Sequence, residues 1–182
     1  IICTGKKLLE RAKSQNPAAY YIPNGNSFSK IAEVKTPKID FNKKRKIVGY
    51  LGTYRNWMDF ELLEQLIKKL HDTDFLFIGK IHPTGEESFN HLSSYKNFLH
   101  IPFMPFEEVT AYLKLFDVGI IPFKINKFTE GVFPYKFLEY VSAEIPVVTT
   151  ALPDLEDFSE VIGYSKTNDE FIANVSKGLN GG

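Results

Sequence analysis

From residue 46 to residue 179, short apolar runs alternate with amphipathic stretches. That is the pattern of a parallel sheet carrying helices on its faces. The runs KIVGYLG (46–52), DFLFIG (74–79), FLHIPF (98–103), DVGIIPF (117–123) and IPVVTT (145–150) predict five strands. Between the first two, NWMDFELLEQLIKKLH (56–71) puts Met58, Leu62, Leu66 and Leu70 on one stripe and offers Asn56 as a cap, so a helix is expected there. PFEEVTAYLKLF (105–116) opens with Pro105 and acidic residues, as helices do, and NDEFIANVSKGL (168–179) predicts a last helix capped by Asn168 or Asp169. The expected fold class is α/β, a Rossmann-like parallel sheet with helices on both faces.

The first third reads differently. IICT (1–4) looks like the end of a strand, GKKLLERAKSQ (5–15) a helix, and AAYYIPNG (18–25) a further strand and turn. VKTPKIDFNKKR (34–45) is polar, carries a proline and has no periodicity. This predicts that residues 1–33 close a preceding domain, that 34–45 is an interdomain linker, and that 46–182 is the domain to interpret. The opening on Ile1 and the ending on Gly181 and Gly182 read as a piece cut from a longer protein.

Composition narrows the function classes. With 182 residues and 43% hydrophobic content the chain can bury one good core. Twenty-two basic and twenty-two acidic residues cancel, which leaves no global field to attract nucleic acid or acidic lipid. The one basic run, 43–46, is either a solvated linker or a docking patch. Cys3 is the sole cysteine, so neither a disulfide framework nor a cysteine metal site is available, and a reducing, cytoplasmic setting fits. The four histidines show no HxH or HExxH spacing, and no metal is expected. No apolar run approaches the roughly 18 residues of a membrane span, and no charged-then-apolar leader opens the chain.

Open parallel sheets bind ligands beyond the carboxyl ends of their strands. That singles out GTYRN (52–56), GKIHP (79–83), FMPF (103–106), KINKFTEGVFP (124–134) and TTALPD (149–154). In the first, Gly52 can make a tight turn, Thr53 can offer a hydroxyl and Arg55 sits near a helix N-terminus: a phosphate cradle, or a simple turn. One glycine is not GxGxxG, and no GxxxxGK[ST] occurs, so dinucleotide and P-loop readings lose support. His82 could donate to a phosphate or a sugar hydroxyl, or be an ordinary loop residue. Gly131 would let backbone N–H groups approach a ligand, unless 124–134 is an ordinary loop. No G-x-S-x-G elbow is present, which argues against acyl transfer.

FPYKFLEYVSAEIPVVTT (133–150) carries the strongest signal. At helical spacing Pro134, Phe137, Leu138 and Val141 fall on one side, expected to face the core, while Lys136, Glu139, Tyr140 and Ala143 share another. Pro134 suits the first helical position, which puts Lys136 in the first turn, at the positive end of the dipole. A lysine there is unfavourable by a few tenths of a kcal/mol unless an anion faces it. Glu139 could be that anion, but lysine before glutamate is the weaker order of an intrahelical pair. An external phosphate fits better; a solvated surface pair is the alternative. A carboxylate one turn inside the helix accepts paired hydrogen bonds from the vicinal hydroxyls of a ribose. Lysine for a diphosphate and glutamate for a ribose together describe a nucleoside diphosphate site.

These residues resemble a known family. EGVFPYKFLEYVSAEIPVVTT (130–150) is similar to the P-x-K-x-x-E-Y-x-A-x-G-x-P-V-V-x-T signature of the donor-binding domain in GT-B-fold glycosyltransferases. IVGYLGTYRNWMDFELLEQL (47–66) resembles their first strand, glycine loop and helix, and YYIPNG (20–25) the turn that closes their N-terminal domain. FMPFEEVTAYLKLFDVGIIPF (103–123) is similar to the segment before the signature. The resemblance implies that Glu139 binds the donor ribose and Lys136 the diphosphate, with Arg55 substituting for a downstream lysine the loop lacks. It implies that Gly131, Val132 and Phe133 offer backbone to sugar or phosphate, and that Phe103 and Met104 hold the base. Gly52, Thr53 and His82 complete the expected donor site. Two departures stand out: Glu144 replaces the usual glycine, and Gly131 stands eight residues before Glu139, where many relatives carry a second glutamate.

The expected function is thus the donor half of a sugar transferase acting in polysaccharide or glycoconjugate synthesis, using a nucleotide-diphosphate sugar and no metal. Its implied partners are that donor and the N-terminal domain of the same chain, through which peripheral membrane contact could occur. On its own this stretch is expected not to turn over. The competing class is a non-catalytic nucleotide- or sugar-binding α/β module; a nicotinamide oxidoreductase lacks its glycine fingerprint.

Overall fold

Residues 74–78 carry no polar alternation, and they form a strand buried along its whole length, as strands do when helices cover both faces of a parallel sheet. The structure, a computed structural model, describes residues 1–25 and 45–181. Its first elements are β1 (Ile2–Cys3), α1 (Lys6–Lys13) and β2 (Tyr20–Tyr21), with β1 and β2 paired in parallel. From residue 45 onward β3 (Ile47–Leu51), α2 (Phe60–Lys69), β4 (Asp74–Ile78), α3 (Glu86–Leu92), β5 (Phe98–Ile101), α4 (Phe106–Leu113), β6 (Val118–Ile121), α5 (Tyr135–Ser142), β7 (Val147–Thr150), β8 (Gly163–Ser165) and α6 (Asn168–Leu179) follow. Six strands make one parallel sheet in the order β5-β4-β3-β6-β7-β8. The predicted α/β sheet is present, with its five strands in place.

Several local readings shift. α2 starts later than expected: Asp59, not Asn56, caps it by accepting the Leu62 N–H at 3.0 Å. Tyr54 and Met58 are instead bridged to Ile81 and Phe123, with a turn between them in which the Met58 N–H donates to the Arg55 carbonyl at 3.0 Å. Thr167, one position before the expected caps, closes the N-terminus of α6 by accepting from Glu170. β8 and α3 were not foreseen; β8 is three residues long and only Ser165 in it is buried. The expected linker lies outside the described residues except for Arg45, which pairs with Asp74 at 2.9 Å, while Lys46 pairs with Asp117 at 2.8 Å.

The signature helix buries part of its expected face, Pro134 and Phe137, but Glu139 and Tyr140 turn inward with them and Val141 turns outward. Tyr140 is fully buried and Val141 is 42% exposed. Space for the tyrosine comes from Gly119 in β6, where a Cβ would lie 2.6 Å from the ring. Its hydroxyl accepts the Leu51 N–H at 2.9 Å, at the end of β3 beyond the β6 pairing. A core tyrosine with a satisfied hydroxyl is as well buried as an aliphatic residue, which helical spacing alone does not foresee.

The N-terminal elements dock on the same body. Buried Asp154 accepts the Lys6 N–H on both carboxylate oxygens, at 3.0 and 3.2 Å, and Gly5 has no room for a side chain between Asp154 and the Gly131 carbonyl. Leu8 of α1 covers Gly131.

Candidate functional site

Strand order reverses between β3 and β6, so the loops after these strands diverge and leave a crevice at their carboxyl ends. Two glycines shape its floor. Gly52 (φ 140°) ends β3 and Gly79 (φ 147°) ends β4, and a Cβ on Gly79 would sit 2.0 Å from the Gly52 carbonyl oxygen. Neither backbone conformation suits a side chain, and the two loops touch through bare backbone. A Cβ on Gly52 would meet the Lys136 side chain at 3.3 Å, so that lysine lies directly across the turn.

The crevice has two lobes. A cleft of about 380 Å³ is lined by Gly52, Thr53, Gly79, Phe103, Met104 and Glu139, with Lys80, Val109 and Lys136 among its other walls. A second hollow of about 270 Å³ is lined by Tyr50, Trp57, Phe123, Phe128, Val132 and Phe133, together with Thr53 and Lys136. Thr53, Tyr135 and Lys136 belong to both lobes, which places the lysine at their junction.

Lys136 lies in the first turn of α5, whose N-terminus no side chain caps; Pro134 takes the cap position, one residue earlier than expected. Its Nζ is 4.7 Å from the centre of the Phe123 ring and 5.1 Å from that of Tyr50. Among the described residues no carboxylate comes within ion-pair distance of it. Burial pulls its pKa down to about 8, with the nearby Glu139 charge opposing. Glu139 is 7% exposed, and burial raises its pKa against the pull of Lys136. The two charges sense each other without pairing, which excludes the solvated surface pair. Ring faces offset part of the cost of burying the ammonium. The helix N-terminus adds positive potential on the same side. A corner of this kind is chemically suited to an anion.

The structure therefore brings Lys136, Glu139, Gly52, Thr53, Phe103 and Met104 to one cleft, and Val132 and Phe133 to the adjoining lobe. It does not bring Arg55 or His82 into the lining of either. The Arg55 guanidinium lies 4.9 Å over the Trp57 ring instead. His82 Nδ1 accepts the Thr84 N–H at 3.2 Å and caps a short 3₁₀ turn. Gly131 is buried under Leu8 and its N–H already donates to Phe128, so its role is close packing rather than an open amide. Sequence reasoning missed Gly79 and Lys80 as individuals, although a glycine that ends an apolar run is a readable signal. It also missed the aromatic wall of Trp57 and Phe128, which lie in segments 71 residues apart with no shared pattern.

Known proteins resemble this chain in sequence or in fold. The family model for glycosyl transferases group 1 matches residues 45–177. A protein of Bacillus subtilis (strain 168), named as a teichuronic acid biosynthesis glycosyltransferase, TuaH, is 30% identical over 118 residues, which is 65% of this chain and 30% of the relative. The chain thus spans about a third of that relative's length. Among solved structures, Anabaena Alr3699/HepE in complex with UDP-glucose aligns with a TM-score of 0.75 at 12% identity, over 97% of this chain and 52% of that one. The C-terminal domain of a group 1 glycosyl transferase, LpcC of Francisella tularensis, aligns with a TM-score of 0.56 at 15% identity, over 87% and 84%. These distant structures establish a common fold. The family model covers most of the sequence, cleft included, and the chain belongs to the glycosyl transferases group 1 family.

Proposed function

We propose that this chain is the donor-binding half of a glycosyltransferase, and that it holds a nucleoside diphosphate sugar in the two-lobed crevice while the sugar passes to an acceptor. The observation that carries this reading is the half-buried Lys136, its ammonium over the Phe123 and Tyr50 rings and without an ion-pair partner among the described residues, at an uncapped helix N-terminus. As the bond from the anomeric carbon to the diphosphate breaks, negative charge grows on the leaving oxygens. Lys136 and the first amides of α5 stabilise it in a preorganised, partly dry site. One turn further on, Glu139 accepts from the ribose hydroxyls, Phe103 and Met104 flank the base, Thr53 reaches the phosphates, and backbone at Val132 and Phe133 meets the sugar. Lys80, on the rim, adds a second cation. With the charge met this way, the reaction as proposed needs no metal.

In the same reading residues 1–33 belong to an acceptor-side domain joined through 34–45, and transfer takes place between the two domains. The chain alone then binds the donor without transferring its sugar, since positioning of the acceptor is worth on the order of 7–11 kcal/mol of barrier. The setting proposed is cytoplasmic, in polysaccharide or glycoconjugate synthesis, in keeping with the relative named for teichuronic acid biosynthesis. No helix among the described residues is long and apolar enough to cross a membrane.

Calorimetry with UDP, GDP, ADP and dTDP, each beside its nucleoside, tests the reading. UDP comes first because HepE and Staphylococcus aureus TarM have been crystallised with it. One diphosphate should bind at least about tenfold tighter than its nucleoside. Equal binding of every such pair would sink the assignment.

A further inference from the structure

Trp57 and Phe128 face two hollows. On one side they line the inner lobe beside Lys136; on the other, with Asn56 and Asn126, they line a separate hollow of about 340 Å³. We infer that this outer hollow is a saccharide subsite, which holds a sugar residue of the acceptor next to the donor lobe. The assignment to the acceptor rests on the donor-site reading above; the assignment to a saccharide rests on the hollow itself.

Its apolar platform is built and held in place. Phe128 is 61% exposed and stacks on Trp57, with ring centres 5.1 Å apart and planes 25° apart. Trp57 is in turn fixed by the Arg55 guanidinium and by its carbonyl, which accepts the Lys124 N–H at 2.8 Å. The negative face of an aromatic ring attracts the weakly positive C–H face of a pyranose, and a rigid ring loses little freedom on contact.

The polar groups suit hydroxyls. Asn126 Oδ1 accepts the Phe128 N–H at 2.9 Å and the Thr129 N–H at 3.1 Å, while the Asn126 N–H donates to the Thr129 hydroxyl at 3.0 Å. These bonds orient the amide and leave its Nδ2 as a donor with no partner among the described residues. Asn56 adds a second neutral amide able both to donate and to accept. Among the described residues no lysine, arginine or carboxylate lines this hollow, which disfavours phosphate or a charged peptide and favours a neutral polyol. A sugar held there would be one ring-wall from the lobe assigned to the donor sugar.

Trp57 is the sole tryptophan, so its emission reports on this wall directly. The test titrates cellobiose and chitobiose into the 182-residue chain and follows tryptophan fluorescence, with UDP binding measured in parallel by calorimetry. At least one disaccharide should give a saturable change at millimolar concentration. Phe128→Ala should weaken it about tenfold. Asn126→Asp keeps an oxygen that can accept from Phe128 and Thr129 but replaces the donor Nδ2 by a charged acceptor, and it should weaken binding about fivefold. UDP affinity should stay within about twofold in Asn126→Asp, since Asn126 lines neither donor lobe. Overturning results are no saturable change with either sugar, or Asn126→Asp and Phe128→Ala both binding as the unmodified chain does. If UDP fails to bind while a disaccharide still does, the donor reading falls and the saccharide site stands.

Discussion

Two lysines in this chain sit on helices and near aromatic rings, and they behave in opposite ways. Lys68, on α2, lies 2.7 Å from Glu64, which also accepts from the Tyr95 hydroxyl at 2.6 Å and contacts His91 Nε2 at 2.9 Å. That outer cluster is satisfied within the chain. Hydrogen bonding to Glu64 raises the pKa of Lys68, and Glu64 itself is held down at about 2, first by Lys68 and then by Tyr95 and His91. Lys136 has ring faces and a Glu139 that it senses without pairing, and burial lowers its pKa to about 8. Surface charges here are arranged for solubility and local order; the cleft charge is left wanting a partner. A desolvated cation kept at a cost to the fold is a functional candidate in its own right.

The largest expected effect follows from that cost. Relative to the ordinary lysine value of 10.5, a pKa of about 8 implies that the charged form strains the fold by on the order of 3 kcal/mol. Lys136→Met should therefore stabilise the chain at neutral pH by about 1–2 kcal/mol, some of the gain being lost with the ring contacts. It should also weaken nucleoside diphosphate binding by at least about a hundredfold. pH separates the two effects. Between about 8 and 10.5 the unfolded chain holds a proton that folded Lys136 has released, so the stability of the unmodified chain rises with pH relative to the variant across that window. Diphosphate affinity runs the other way and falls above about pH 8, because the ligand needs the ammonium. Lys68→Met should leave nucleotide affinity unchanged. Denaturation curves and calorimetry at a series of pH values check all of these; a Lys136→Met chain that is less stable yet binds normally would erase the contrast.

A smaller effect is expected at Glu139. Glu139→Ala should weaken nucleotide binding by roughly 1.5–3 kcal/mol, the range for hydrogen bonds to a charged group. Spacing alone places this carboxylate off the apolar face and out of the core, whereas the structure buries it at 7% exposure with no hydrogen-bond partner among the described residues. The fold should survive its removal all the same, since a carboxylate without a partner contributes nothing that alanine loses. Calorimetry on Glu139→Ala and Glu139→Gln, with thermal melts, checks this, and unchanged affinity in both would leave Glu139 without a role.

What the chain discloses by its letters follows from what its letters repeat. Five strands were legible because a sheet covered on both faces demands unbroken apolar runs. Lys136 and Glu139 were legible because a cation after a helix-starting proline conflicts with the dipole. The inward turn of Tyr140 was not, because it depends on the missing side chain of Gly119 on another strand. The outward placement of Arg55 and His82 depends on partners two residues away, Trp57 and Thr84, whose local contacts compete with a distant ligand. The wall of Trp57 and Phe128 joins two loops that only the folded sheet brings together.

The smallest effect, at the far end of α5, tests whether the cleft and its supporting helix are separable. α5 ends in a Schellman motif: the Ile145 N–H donates to the Tyr140 carbonyl at 3.0 Å and the Glu144 N–H to that of Val141 at 3.0 Å. The motif requires a left-handed residue, and Glu144 supplies it at φ 58°, the one non-glycine residue with positive φ among those described. A side chain in that region costs roughly 1–2 kcal/mol, and glycine gives back about half of the relief through its freer unfolded state. Glu144→Gly should thus stabilise the chain by about 0.5–1 kcal/mol, seen as a higher denaturant midpoint at constant slope. Nucleotide affinity should not move, because the exposed Glu144 side chain is about 12 Å along the helix from Lys136. A gain in stability with altered affinity would mean that the turn sets the tilt of α5, and that glutamate is kept there to hold Lys136 over Gly52.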